Sequence, residues 1–137
     1  MEIVKGILGF LAVVINTLFW CFFLLTVAIF KLLIPLESWK RLCTKLIINI
    51  GECWIYCNGL WINTLQRPNW NVEGFEALDS SNWYLAVANH QSWADIFILQ
   101  GITNRNIPML KFFMKNVLIW VPVIGLAWWA LDMPFLK

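Results

Sequence analysis

The chain has 137 residues, of which 61% are apolar, 13% are charged and ten are Trp; a soluble domain carries roughly 45–50% apolar and about 25% charged residues. That composition excludes a disordered chain and a plain soluble globule, and leaves a membrane-associated protein as the broad class. Ten Lys and Arg against eight Asp and Glu give a net charge of +2, which is too small, and lacks the basic stripe, for a nucleic-acid partner.

The first element is an apolar run. No residue between Lys5 and Lys31 is charged. As a helix, residues 6–30 reach ~37 Å, enough to cross a ~30 Å hydrocarbon core with some tilt. Sixteen of those 25 residues are Leu, Ile, Val or Phe. At about −0.4 kcal/mol each, insertion gains on the order of −6 kcal/mol, less what Asn16, Thr17 and Thr26 subtract. The run is too long for a signal peptide, and no small-x-small cleavage site follows before Pro35. It reads as a retained anchor. Its N-terminal flank offers Lys5 and the α-amine; its C-terminal flank offers Lys31, Lys40, Arg41 and Lys45. The positive-inside rule therefore places the chain after residue 31 on the cytoplasmic side, a compartment that suits reduced thiols.

Pro35 ends or kinks the first helix, and Ser38 is a candidate cap for the next. From residue 46 to residue 66 only Glu52 is charged, and Asn49, Asn58 and Asn63 recur with Gly51 and Gly59 between them. Trp54, Tyr56 and Trp61 are amphipathic aromatics that favour an interface. Two arrangements are open. One is a second full span, which would carry the rest of the chain across the membrane. The other, which fits the polar interruptions better, is a helix in or dipping into the cytoplasmic leaflet and paired with the first. The four Cys lack zinc-site spacing and do not form a dense disulfide framework. Cys53 and Cys57 sit one helical turn apart; a metal pair is conceivable there, and buried thiols on a membrane helix are the simpler reading.

Arg67-Pro68-Asn69 punctuates the chain. It separates membrane-anchoring helices, 1–67, from a second part, 68–137. In that part residues 72–78 are short and mixed, and Asp79-Ser80-Ser81-Asn82 is turn chemistry. Residues 83–88, an apolar run between turn signals, read as a short buried strand. Then follows Asn89-His90-Gln91-Ser92-Trp93-Ala94-Asp95, with the only histidine of the chain. Ser92 and, three residues on, Asp95 form a helix-start signature. His90 is thus expected on the turn into a helix whose first turn holds Asp95. Spacing of i, i+5 across such a turn brings a carboxylate within reach of an imidazole. With an unperturbed pKa near ~6.5, that imidazole takes a proton from a hydroxyl at neutral pH. A carboxylate on its other nitrogen fixes the tautomer and stabilises the imidazolium. The simpler alternative is a hydrogen-bonded turn histidine beside a capping aspartate.

Asn-His-x4-Asp after an apolar run and behind a membrane anchor resembles the first motif of the glycerolipid acyltransferases, the family that includes 1-acylglycerol-3-phosphate acyltransferase. Residues 89–99 resemble the bacterial inner-membrane lysophospholipid acyltransferases closely. Val72-x-Gly74-x-Glu76-x-Leu78 resembles the opening strand of that domain. Pro108-Met109-Leu110-Lys111-Phe112-Phe113-Met114-Lys115 resembles the segment after the motif helix, and Pro122-Val123-Ile124-Gly125 the Pro-x-x-Gly turn before the second motif. The resemblance implies an α/β acyltransferase-like domain, incomplete here, behind a membrane helix hairpin. It also implies acyl transfer from acyl-CoA or acyl-carrier protein to a lysophospholipid, most simply 1-acylglycerol-3-phosphate. His90 would be the general base and Asp95 would orient it; no cofactor and no metal is implied, and the substrate-binding residues stay unassigned. The place would be the bacterial inner membrane, with the site facing the cytoplasm.

The family's second motif ends in Phe-Ile-x-Arg or a close variant. Here the chain reads Phe135-Leu136-Lys137, and no Glu-Gly-Thr of the third motif occurs. The expectation is a chain cut in mid-domain, with open sheet edges, a marginal core and doubtful activity in isolation. A non-enzymatic anchored remnant or partner is therefore the alternative. Residues 116–131 carry no charge but contain Trp120, Trp128 and Trp129, with Lys111 and Lys115 before them. They read either as an interfacial segment that dips into the leaflet while the lysines meet lipid phosphates, or as ordinary core.

Overall fold

The computed structural model describes residues 2–65, 68, 69, 71–89 and 91–136. In chain order these form α1 (Glu2–Leu33), α2 (Glu37–Leu65), a 3₁₀ turn (Phe75–Ala77), α3 (Trp93–Thr103), β1 (Met114–Lys115), a second 3₁₀ turn (Asn116–Trp120), α4 (Ile124–Ala130) and β2 (Phe135–Leu136). Contacts divide the chain into two compact units. One comprises Met1–Val14 and Ile55–Leu110, the other Ile15–Trp54 and Lys111–Lys137.

In the second unit α1 and α2 run antiparallel from the Pro35 break. Cys21, Leu24 and Ala28 of α1 are buried, as are Cys43 and Ile47 of α2. Both sets follow the three-and-four spacing of a helix face. The opposite face of α1 is apolar and exposed, including Leu18, Phe19 and Phe22. α1 is the one described helix long and apolar enough to cross a membrane, by length and composition. α2 begins at Glu37, so Ser38 lies within its first turn instead of capping it. Glu37 supplies the negative charge that a helix N-terminus favours, and accepts a 2.9 Å bond from Lys40 Nζ.

The same unit holds a small parallel sheet in which Met114 pairs with Phe135 and Lys115 with Leu136. The crossover between the strands contains α4. Its Gly125 packs on the backbone of Ile119: a Cβ there would come within 2.6 Å of the Ile119 carbonyl carbon. The predicted turn at residues 122–125 is present. Ile124 N–H donates to the Pro122 carbonyl at 2.7 Å, across Val123 at φ 66°, ψ −57°, which is the φ-positive form of the γ-turn. Of the expected α/β class only this strand pair is present; the described chain is mostly helix, with loops between.

In the first unit two expected strands do not form. Gly74 has φ 79° and leads into the 3₁₀ turn Phe75–Ala77, so the 72–78 segment bends where the opening strand would run straight. Residues 83–88 form no regular element and are exposed, with Trp83 at 90% and Val87 at 88% of their full accessibility. The apolar run satisfies strand propensity. Among the described residues no neighbouring strand supplies the ladder that would pair and bury it, and a strand is stable only with such a partner. The 79–82 turn forms as expected: Asn82 N–H donates to the Asp79 carbonyl at 3.1 Å.

Candidate active site

The site block lies in the first unit, between that exposed apolar run and α3. Ser92, at φ −152° and ψ 165°, is the N-cap of α3, and Ser92 with Asp95 forms a capping box. Oδ2 of Asp95 accepts from the backbone N–H groups of Gln91 and Ser92, each at 2.6 Å. The helix-start reading is therefore correct in detail. The Asp95 carboxylate is tied to the two peptide groups that follow position 90, and is partly buried where the loop enters the helix. His90 lies outside the described residues, as do Gln66, Arg67 and Lys137.

Fixing Asp95 this way has a chemical consequence. A carboxylate whose rotamer is set by two N–H donors presents its remaining lone pairs in one direction. Asp79, further up the same unit, is a different kind of carboxylate. Its Oδ1 accepts from Ser81 N–H and from the Ser81 hydroxyl, both at 2.8 Å. These bonds hold its pKa below the ordinary carboxylate value. Tyr84 Oη completes that turn, accepting from Asp79 N–H at 2.7 Å. This is turn architecture in an exposed loop.

Beside α3 lies a cavity that no sequence motif announced. Its volume is about 350 Å³, and it is lined by Gly59, Ile62 and Asn63 of α2, by Val72 and Phe75, and by Phe97, Ile98, Gly101 and Ile102 of α3. That is within the ~300–1,000 Å³ of small-molecule sites, and the wall is mostly apolar. Phe97 and Ile98 follow Asp95 by two and three residues, so the helix that begins at the site block also walls the cavity. A Cβ added at Gly59 or at Gly101 would meet nothing within 4 Å. These glycines leave space there. The signal in the sequence was faint: two glycines in apolar helices, 42 positions apart.

Among the described residues no group of three or more His, Cys, Asp or Glu is placed to hold a metal ion. None of Cys21, Cys43, Cys53 and Cys57 is joined in a disulfide.

The family model described as Acyltransferase matches residues 69–137, half of the chain, from the loop before the site block through α3, β1, α4 and β2. The chain belongs to the acyltransferase family and is by family an O-acyltransferase. No curated protein and no solved structure matches it.

Proposed function

We propose that the protein is a membrane-bound acyltransferase that moves a fatty acyl group from acyl-CoA or acyl-carrier protein to the hydroxyl of a lysophospholipid such as 1-acylglycerol-3-phosphate. His90 is the general base and Asp95 orients it. The observation that carries this reading is the Asp95 carboxylate, pinned by Gln91 and Ser92 N–H at the head of a helix inside the family-matched segment.

The steps follow from ordinary acyl-transfer chemistry. His90 removes the proton from the acceptor hydroxyl as its oxygen attacks the thioester carbonyl. The tetrahedral intermediate collapses with cleavage of the carbon–sulfur bond. The imidazolium returns its proton to the leaving thiolate, giving the ester and the free thiol. Asp95 holds the imidazole tautomer and offsets the charge it gains. The cavity beside α3 supports the reading because it offers an apolar volume for an acyl chain one helical turn from that chemistry.

α1 provides the membrane attachment. Its exposed face is apolar along a helix of lipid-spanning length, and the lysines and arginine at the hairpin tip, Lys31, Lys40, Arg41 and Lys45, favour the cytoplasmic side. The test is transfer of labelled acyl groups from acyl-CoA to lysophospholipids by membranes carrying the full-length protein, with and without His90→Ala. Membrane association should survive the substitution and transfer should not.

A second reading, a non-enzymatic anchored partner, draws support from one observation. The run that leads into position 90 is exposed and unpaired among the described residues, whereas a catalytic base needs rigid support. The same assay separates the two.

A further inference from the structure

We propose that the strand pair and crossover at residues 111–136 form a second bilayer-contact surface, made by Val117, Trp120, Leu126 and Trp129 with Lys111 and Lys115. Its partner is a membrane that displays anionic phospholipid headgroups. The inference deepens the membrane reading above and rests on it for the presence of a bilayer.

The first argument is the set of large apolar side chains that stay outside. The interior of this piece is filled by Met114, Ala127, Ala130, Leu131 and Met133, with Gly125 tight against the Ile119 backbone. Several large apolar side chains nevertheless face out: Trp120 is 82% exposed, Val117 67%, Leu126 54% and Trp129 47%. A water-facing piece of this size would place small polar residues outside and its aromatics within. The outward positions are also paired. Val117 and Trp120 are three apart in a 3₁₀ turn, which stacks them on one side. Leu126 and Trp129 are three apart on α4, on a face other than that of buried Ala127 and Ala130.

The second argument is charge, and it selects lipid over protein. Between residues 106 and 131 the only charged side chains are Lys111 and Lys115, both exposed. Phe113, just before β1, and Lys115 flank buried Met114, and both are exposed. Two cations against one acidic side chain in residues 106–136, Asp132, set beside indoles, are the pattern that meets phosphate headgroups and the acyl boundary together. Protein interfaces deplete Lys in their centres. The same unit also carries the exposed apolar face of α1 through Leu18, Phe19 and Phe22, so one compact body presents lipid-compatible surface on two elements.

The experiment uses the full chain in vesicles of phosphatidylcholine with phosphatidylglycerol, its native thiols replaced by Ala. An environment-sensitive fluorophore is attached in turn at Val117→Cys, Leu126→Cys, Ser81→Cys and Leu18→Cys. Lipid-borne quencher should reach positions 117 and 126 as well as 18, and leave 81 to aqueous iodide. Lys111→Gln with Lys115→Gln should weaken quenching at 117 and 126 in these vesicles, shifting the docking equilibrium roughly thirty-fold, with position 18 unchanged. Iodide access at 117 and 126 equal to that at 81 would overturn the proposal. So would shielding from both quenchers, which would mean protein covers the surface. Loss of lipid quenching at position 18 instead strikes the anchor reading. If replacing the thiols unfolds the chain, hydrogen exchange of the native protein decides: residues 113–129 should be protected more with phosphatidylglycerol than without it, and equal protection would refute the headgroup claim.

Discussion

Asn16 donates from Nδ2 to the carbonyl of Trp54 at 3.1 Å, so a buried amide of α1 is bonded directly to the backbone of α2. The Trp54 indole N–H answers with a 3.0 Å bond to Thr17 Oγ1, and near the turn the Trp39 indole N–H donates to the Phe30 carbonyl at 3.0 Å. Over this stretch the two helices are tied together at both ends.

Removing the amide should loosen that pair. Asn16→Leu keeps the apolar fit of α1 but deletes the bond, and should cost about 1 kcal/mol of hairpin stability. Thr17→Val should cost less, because it removes only the acceptor for one indole. Denaturation of the detergent-solubilised chain, followed by Trp fluorescence, measures both.

The cavity makes a second prediction. Gly101→Leu projects a side chain into space that is open around a Cβ at that position and should fill much of the volume. Stability should change little. Preference should move toward shorter acyl donors, read as the ratio of kcat/KM for long and short acyl-CoA. An unchanged ratio would remove the cavity from acyl-chain binding.

The third concerns pH. Asp79 has its pKa lowered first by the Ser81 N–H bond and then by the Ser81 hydroxyl. A carboxyl whose folded pKa lies below its unfolded value stabilises the fold above the unfolded pKa and loses that contribution as pH falls through the folded one. The 79–82 turn should therefore be firm at neutral pH and loosen below the ordinary carboxylate range. Amide exchange at Ser81, followed through an acid titration, should accelerate there, and Asp79→Asn should flatten the response.

Gly125 supplies the fourth. Any side chain at this position strikes Ile119 backbone, which cannot move aside without parting α4 from the 3₁₀ turn before it. Gly125→Val should destabilise by about 1–3 kcal/mol, the usual cost of overpacking, measured as a lowered thermal midpoint; Gly125→Ala should lie between.

What could be read from the residues was local chemistry. Pro35 stops α1, Asp79 and Ser81 make a turn, and Ser92 with Asp95 starts α3, because each effect acts within a few peptide groups. The strand expected at residues 83–88 failed for the converse reason. Its apolar residues state a preference for extended backbone, but pairing depends on a partner that local pattern does not specify. The cavity was also illegible, since Gly59 and Gly101 come to line one space only through tertiary packing. At the site itself, the placement of Asp95 was readable from a four-residue signature, and its bonds to Gln91 and Ser92 follow from that placement.

The capping bonds of Asp95 and its proposed hold on His90 separate by substitution. Asp95→Asn keeps one oxygen for the capping N–H groups and should cost roughly 1 kcal/mol or less of stability. It supplies no charge to a protonated imidazole, so kcat should fall by a factor on the order of 10⁴ while KM for the acyl donor holds, by analogy with other carboxylate-oriented histidines. Equal losses of stability and activity would make Asp95 a cap alone.

The most direct measurement is the pH profile of acyl transfer by membranes bearing the full-length protein, wild type against His90→Ala. Wild-type membranes should transfer label from acyl-CoA to 1-acylglycerol-3-phosphate, with kcat/KM rising through the pH range where an imidazole loses its proton. His90→Ala membranes, holding equal amounts of protein, should give only background. Turnover that persists in the variant, or a wild-type profile with no imidazole limb, would contradict the assignment of His90 as the base.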